Sequence, residues 1–324
     1  MIELKLYEYM RELLKQTPTT FVRYKYNEIS WDSRLVGILG PRGIGKSTMI
    51  LQRIKNTPEN HSLYITADNM YFADHKLYDL ADKFVKEGGT HLYIDEVHKY
   101  SGWSRELKLM YDMHPSLHIV FTGSSVMRLK DENYELSGIV KSYNLRGFSF
   151  REFINLQTGN NFEPFTLDDI VENHEKLVRK ILPYVSPLKY FQDYVHHGFY
   201  PFYREHRNYS ENLLKTMNMM TEVDILFIKQ IELKYLAKIK KLFYLLAVNG
   251  TKAPNISQLA IDIETSRATV MNYIKYLADA RLINILYPVG QEFPKKPPMV
   301  VMHNPNLMYA IYPIIADKQA VMEN

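Results

Sequence analysis

Nine residues, Gly40-Pro41-Arg42-Gly43-Ile44-Gly45-Lys46-Ser47-Thr48, constrain this chain more than any others. They satisfy the pattern G-x-x-x-x-G-K-[ST] at every fixed position. Leu35-Val36-Gly37-Ile38-Leu39 precedes them as a short apolar strand, and Ser47 to Lys55 follows with helical spacing of Met49, Ile50 and Ile54. Strand, glycine loop and helix are the setting in which this pattern cradles phosphate. Glycines let the backbone turn tightly and aim its N–H groups at phosphate oxygens, and the helix start adds partial positive charge. Lys46 is expected to reach the β- and γ-phosphates, and the Ser47 hydroxyl to bind Mg²⁺.

A phosphate loop needs carboxylates nearby. His91-Leu92-Tyr93-Ile94-Asp95-Glu96 is an apolar strand that ends in two of them. Asp95 is expected to hold Mg²⁺ and Glu96 to polarise the water that attacks the γ-phosphate. His98, close behind, reads as a surface residue. Another buried strand, Leu117 to Phe121, runs into Thr122-Gly123-Ser124-Ser125. One helix, 103–113, separates the two strands, so a right-handed crossover can set the later strand beside the loop strand. Its polar end then points into the nucleotide cleft. Thr122 is the first choice for a γ-phosphate sensor and Ser124 the second.

Around these lie an amphipathic helix at 2–16, a strand at 62–66, a helix at 74–86 and a further strand at 139–145. Ser149, with Glu152 three residues on, predicts a capped helix start. The set GPRGIGKST, LYIDEVHK, Gly102-Trp103 before a short helix, VFTGSS and LRGFSFREF resembles the AAA-type ATPases of the archaeal-ATPase-like group, in order over residues 35–155. That resemblance implies a three-layer α/β fold. The sensor strand would lie between the loop and carboxylate strands of a parallel sheet, and a helical lid and a winged helix would follow. It implies ATP as the nucleotide. Members often carry a Gly-Arg pair before the last strand; here Ile139 follows Gly138, and Arg146 is the nearby arginine for a finger role. Many members continue into a nuclease-like domain, whereas this sequence ends at Asn324.

The expected domains are 1–158 (ATPase with its N-terminal helix), 159–230 (helical lid) and 231–324 (winged helix). The lid reads as helices with charged faces and aromatic cores, broken at Gly198-Phe199-Tyr200-Pro201. His174, His196, His197 and His206 lack metal-site spacing and read as surface or packing residues. In the last third, helices at 233–248, 256–260 and 266–277 precede a β-ribbon of 282–287 with 298–302. Ser266 or Thr265 caps the third helix. Arg267, Thr269, Asn272 and Lys275 would be exposed on it, with Lys295 and Lys296 on the wing. Residues 231–324 carry eleven Lys and Arg against seven Asp and Glu, the whole of the chain's formal excess of +4. Such a domain either reads duplex DNA through these cations or packs internally as a regulatory module, where Tyr273 and Tyr276 would mark the packed face.

The 324 residues hold no cysteine, which excludes disulfides and Cys-ligated zinc and fits a reducing cytoplasm. No apolar run approaches a membrane span, and charges throughout residues 1–15 exclude a signal peptide. Mg²⁺-dependent ATP hydrolysis that drives a conformational switch is the expected activity, with a homo-oligomer as a candidate assembly. A nucleotide-gated DNA-binding regulator is the alternative. Intact Lys46, Asp95 and Glu96 speak against a degenerate scaffold.

Overall fold

Leu35–Leu39 (β1) is buried at all five positions. A strand covered on both faces reads as a continuous apolar run, which is why Leu-Val-Gly-Ile-Leu belongs in the middle of a parallel sheet. The computed structural model of the chain places it there. It describes all residues except 1–3, 59, 128–133, 205–207, 227–228, 251, 291–295 and 316–324.

After β1 come Lys46–Asn56 (α2), Ser62–Thr66 (β2), Leu77–Lys86 (α3) and His91–Asp95 (β3). Trp103–Met113 (α4), His118–Gly123 (β4) and Lys141–Asn144 (β5) complete the sheet region, and Leu4–Gln16 (α1) precedes it. The five strands are all parallel in the order β2-β3-β4-β1-β5. The sensor strand β4 thus lies between the loop strand and the carboxylate strand, as the resemblance implied. Edge strand β5 is polar, with Lys141, Ser142 and Asn144 exposed, which discourages further pairing. On the opposite edge, Met10 of α1 covers β2: its Sδ accepts from the Tyr64 N–H at 3.2 Å.

The helix expected over 74–86 starts later. Asn69 caps a single tight turn over Met70–Ala73, and α3 begins at Leu77. The strand expected over 139–145 is trimmed to four residues for a similar reason. The Leu136 carbonyl, in the preceding turn, takes up the N–H groups of Ile139 and Val140.

The chain folds as two compact units, Met1–Arg146 and Gly147–Asn324. In the second, Phe150–Thr158 (α5) opens with the expected capping box between Ser149 and Glu152. Leu167–Ile181 (α6), Leu188–Asp193 (α7) and Tyr209–Met219 (α8) follow. A wide turn over Tyr194–Gly198 continues α7. It is held by Asn306 on Pro305–Ile315 (α12, the last helix among the described residues), whose amide donates to the Tyr194 and Val195 carbonyls and accepts from Phe199 N–H and Tyr209 O–H. All hydrogen-bonding capacity of that buried side chain is used.

Between them lie Leu236–Asn249 (α9), Ile256–Asp262 (α10) and Arg267–Asp279 (α11). An antiparallel ribbon of Ile283–Leu286 (β6) with Met299–Met302 (β7) follows. Ser266, not Thr265, caps α11 by accepting from Thr269 N–H. Among the described residues no helix is long and apolar enough to cross a membrane.

Candidate functional site

The glycine loop runs from the end of β1 to the start of α2, and its glycines answer local demands. A Cβ at Gly40 would come within 2.4 Å of the Leu145 carbonyl oxygen. Gly45 sits at φ +89° as the residue before the helix, a conformation that side chains resist. Lys46 is buried, and its ammonium donates to the Gly40 carbonyl at 2.9 Å and the Pro41 carbonyl at 2.8 Å. The cation is therefore held inside the loop, where an incoming phosphate would meet it. Ser47 and Thr48 occupy the first turn of α2, with the Ser47 side chain half-buried. A second arginine stiffens the loop from behind. Buried Arg23 donates to the Ile44 carbonyl at 3.0 Å and to the Arg146 carbonyl at 2.8 Å.

Parallel pairing brings the ends of β2, β3 and β4 together, and with them three polar side chains. Tyr64 of β2 donates its hydroxyl to Asp95 Oδ2 at 2.7 Å, and Thr122 of β4 donates to Asp95 Oδ1. The Thr122 oxygen also accepts the Glu96 N–H at 2.9 Å. Thr122 is fully buried and its single proton is directed at Asp95. In this arrangement it acts on the Asp95 carboxylate and the Glu96 main chain, as an orienting group, rather than reaching into the cleft. Burial and the adjacent Asp95 carboxylate together raise the Tyr64 phenol well above its usual range, so it stays a donor. Ser124, also buried, accepts from Val126 N–H at 3.3 Å.

Glu96 departs from ordinary backbone geometry, with φ +50° and ψ 43°. Left-handed non-glycine residues carry strain that the surroundings must hold. Thr122 holds the Glu96 N–H, and two cations hold its carboxylate: Arg42 from the glycine loop at 3.3 Å, and Lys99 at 2.5 Å. Lys99 also pairs with Asp68, just beyond β2, at 2.5 Å. Burial alone would lower the Lys99 pKa, but the hydrogen bonds to Asp68 and Glu96 outweigh it and hold the ammonium above its usual range. Burial likewise pushes Asp68 up, and the bonds from Lys99 and Thr66 overcome that and hold it below the usual carboxylate range.

The structure thus gathers Lys46, Asp95, Glu96 and Thr122 onto neighbouring elements of one sheet end. Arg146 contributes its carbonyl to Arg23, while its side chain is exposed. His98 is buried, not on the surface as its sequence position suggested, because the turn Val97–Lys99 folds it inward. Sequence reasoning missed Tyr64, Asp68, Lys99, Arg42 as a partner of Glu96, and Arg23. Lys99 had a signal, three residues after Glu96; the others are joined only by the sheet. Among the described residues no cluster of three or more His, Asp or Glu forms a metal site of its own. Mg²⁺ asks for less, because it is commonly held by one or two protein oxygens plus substrate phosphates. The Ser47 hydroxyl and the Asp95 carboxylate are hard oxygen donors of the right kind. Asp95 keeps acceptor capacity beyond the two hydrogen bonds it already receives.

In the second unit, Arg267 and Lys296 line one cavity of about 260 Å³ with Asn255, Ile256, Ser257 and Met271. Asn272 is exposed, whereas Thr269 is half-buried with its hydroxyl on Ser266. Lys275 is half-buried, Tyr273 is buried and Lys295 lies outside the described residues.

Residues 32–154 match the model of a family described as an AAA domain. Residues 188–305 match a second, described as a domain of unknown function. An uncharacterized protein of Methanocaldococcus jannaschii is 26% identical over an alignment that covers 89% of this chain and 67% of that one. Among solved structures, AMPPCP-bound DnaA from Aquifex aeolicus aligns at 12% identity and a TM-score of 0.29, covering 86% of this chain and 90% of that one. A DNA replication initiation factor aligns at 12% identity and a TM-score of 0.29, covering 85% and 88%.

Proposed function

We propose that this chain, whose residues 32–154 are an AAA-type P-loop domain, binds ATP with Mg²⁺ and hydrolyses it to drive a conformational switch. One observation carries the reading: the glycine loop with Lys46 follows β1, the two carboxylates end β3, and β4 between those strands brings the Thr122 hydroxyl to Asp95 and to the Glu96 N–H. Phosphoryl transfer asks for positioning and charge neutralisation more than covalent chemistry, and these residues supply both. Lys46 would exchange two loop carbonyls for phosphate oxygens. Glu96 would accept a proton from the attacking water once Arg42 and Lys99 yield their hold on it. Asp95 and Ser47 would hold Mg²⁺, which when bound neutralises phosphate charge. Tyr64 and Thr122 hold the Asp95 carboxylate in place by hydrogen bonds to its two oxygens. Arg146, exposed at the end of the first unit, is the residue we assign to a finger role toward a nucleotide.

Calorimetric titration of ATP with and without Mg²⁺ tests the reading, with Lys46→Ala as control. Saturable binding in the wild type that the variant loses supports it; equal binding in both sinks it.

The second unit supports a further reading, in which nucleotide gates the binding of duplex DNA. We propose the domain bounds 1–158, 159–230 and 231–324, with a winged helix in the last. The observation favouring DNA is that Arg267 and Lys296, 29 positions apart in the chain, share one cavity. Two cations at that spot suit a backbone phosphate. A cytoplasmic location fits the cysteine-free composition.

A further inference from the structure

Helix α6 is amphipathic by sequence yet no residue in it is buried. Leu167, Ile170, Val171 and Val178 are exposed, Leu167 at 74% and Val171 at 69%. They recur at the i, i+3, i+4 spacing of a single helical stripe, which Leu177 and Ile181 extend. An isolated helix of about fifteen residues is marginal in water. A capping box between Thr166 and Asp169 helps it start, but a cap does not replace a partner for the stripe.

The sequence of the helix says what that partner is. Counted outward from His174, Glu172 is matched by Lys176, Val171 by Leu177 and Ile170 by Val178. Further out, Asp169 is matched by Arg179, Asp168 by Lys180 and Leu167 by Ile181. Only Asn173 and Glu175 break the match. Elsewhere apolar residues mirror apolar ones, and every acid meets a base. An antiparallel copy of the same helix, related by a two-fold axis through His174, would set the two stripes together. The acidic half of each helix would lie along the basic half of the other. Isologous interfaces demand this self-complementarity of one patch. The bend at Asn173 (φ −128°, ψ 21°) lies beside the axis, so both copies would bend at the seam's centre.

We propose that α6 is an interaction surface for α6 of a second copy of this chain, paired antiparallel. The inference is independent of the ATPase reading. One helix pair of this length falls at the small end of specific interfaces, below about 1,200 Å², so the dimer is weak and concentration-dependent.

Sedimentation of the full chain up to about 200 µM, a range suited to an interface of this size, tests the proposal. The wild type should dimerise, and Val171→Glu should weaken association roughly tenfold or more with an unchanged melting curve, since no core residue is touched. Charge reversal sharpens the readout. A chain with Asp168→Lys and Glu172→Lys, and another with Lys176→Glu and Lys180→Glu, should each be monomeric alone and pair when mixed. Because the chain has no cysteine, His174→Cys offers one thiol, which mild oxidation should join to its twin across the axis. A wild type that stays monomeric throughout overturns the proposal, as expected if α6 instead covers another partner or its own chain. So does a dimer indifferent to Val171→Glu, or reversed-charge chains that fail to pair.

Discussion

Glu96 in the first unit and Asn306 in the second are both held by several partners, but the partners differ in kind. Glu96 is gripped by the side chains of Arg42 and Lys99, one from the glycine loop and one from the turn after β3. Asn306 is bound mainly by main-chain groups of a single turn, with one tyrosine hydroxyl besides. Ion pairs between flexible, partly exposed side chains are worth little and rearrange easily. A buried amide with every hydrogen bond made fixes a shape and leaves nothing to exchange. The first unit is therefore arranged to respond when a ligand arrives. The second is arranged to keep its form and present surfaces: the Arg267–Lys296 cavity and the bare stripe of α6.

If that contrast holds, substitutions in the first unit should act through chemistry and those in the second through partners. The largest effect is expected at Lys46. Lys46→Ala should weaken ATP binding by about a hundredfold or more, since a charged hydrogen-bonding group at phosphate is removed, while circular dichroism stays unchanged. Retained affinity by calorimetry would refute the loop assignment.

Asp95→Asn should come next, with about a tenfold loss confined to the Mg²⁺-dependent part of binding. A loss that is the same with and without Mg²⁺ would assign Asp95 a purely structural part.

Thr122→Val should lower stability by about 1–3 kcal/mol, because it leaves a buried Asp95 oxygen and the Glu96 N–H without their partner. Turnover should fall with it. Thr122→Ser should restore both, as it returns the hydroxyl. If Thr122→Val instead leaves melting unchanged and impairs only the response to the γ-phosphate, Thr122 is a direct sensor after all.

The smallest effect belongs to the second unit. Arg267→Ala with Lys296→Ala should lower the salt slope of duplex binding by roughly two, one for each phosphate no longer neutralised. Unchanged DNA binding with altered ATP turnover would make this region an internal regulatory module.

Much of the first unit is legible in the sequence because phosphate chemistry dictates spacing. Gly40 to Thr48 and the Asp95-Glu96 pair follow apolar strands, and a right-handed crossover leaves β4 one natural place. Partners supplied by distant elements are not legible. Tyr64 sits in Ser-Leu-Tyr-Ile-Thr, where it reads as one more apolar strand residue, and only the pairing of β2 with β3 turns its hydroxyl to Asp95. His98 misleads because a polar residue after an acidic turn looks exposed, yet the turn tucks it in. The lid reads as helices with charged faces and aromatic cores, which implies that each covers an apolar face, yet the stripe of α6 is bare. Amphipathicity shows that a face needs covering and not by which chain.

The most direct measurement is phosphate release under Mg²⁺ by wild type and Glu96→Gln, each with its ATP affinity determined alongside. Glu96→Gln should bind ATP about as well as wild type and release phosphate slower by about two orders of magnitude or more, because it removes the group that accepts the water's proton. Equal rates in the two proteins, at equal affinity, would show that the base lies elsewhere and that the Glu96 cluster is not the catalytic centre.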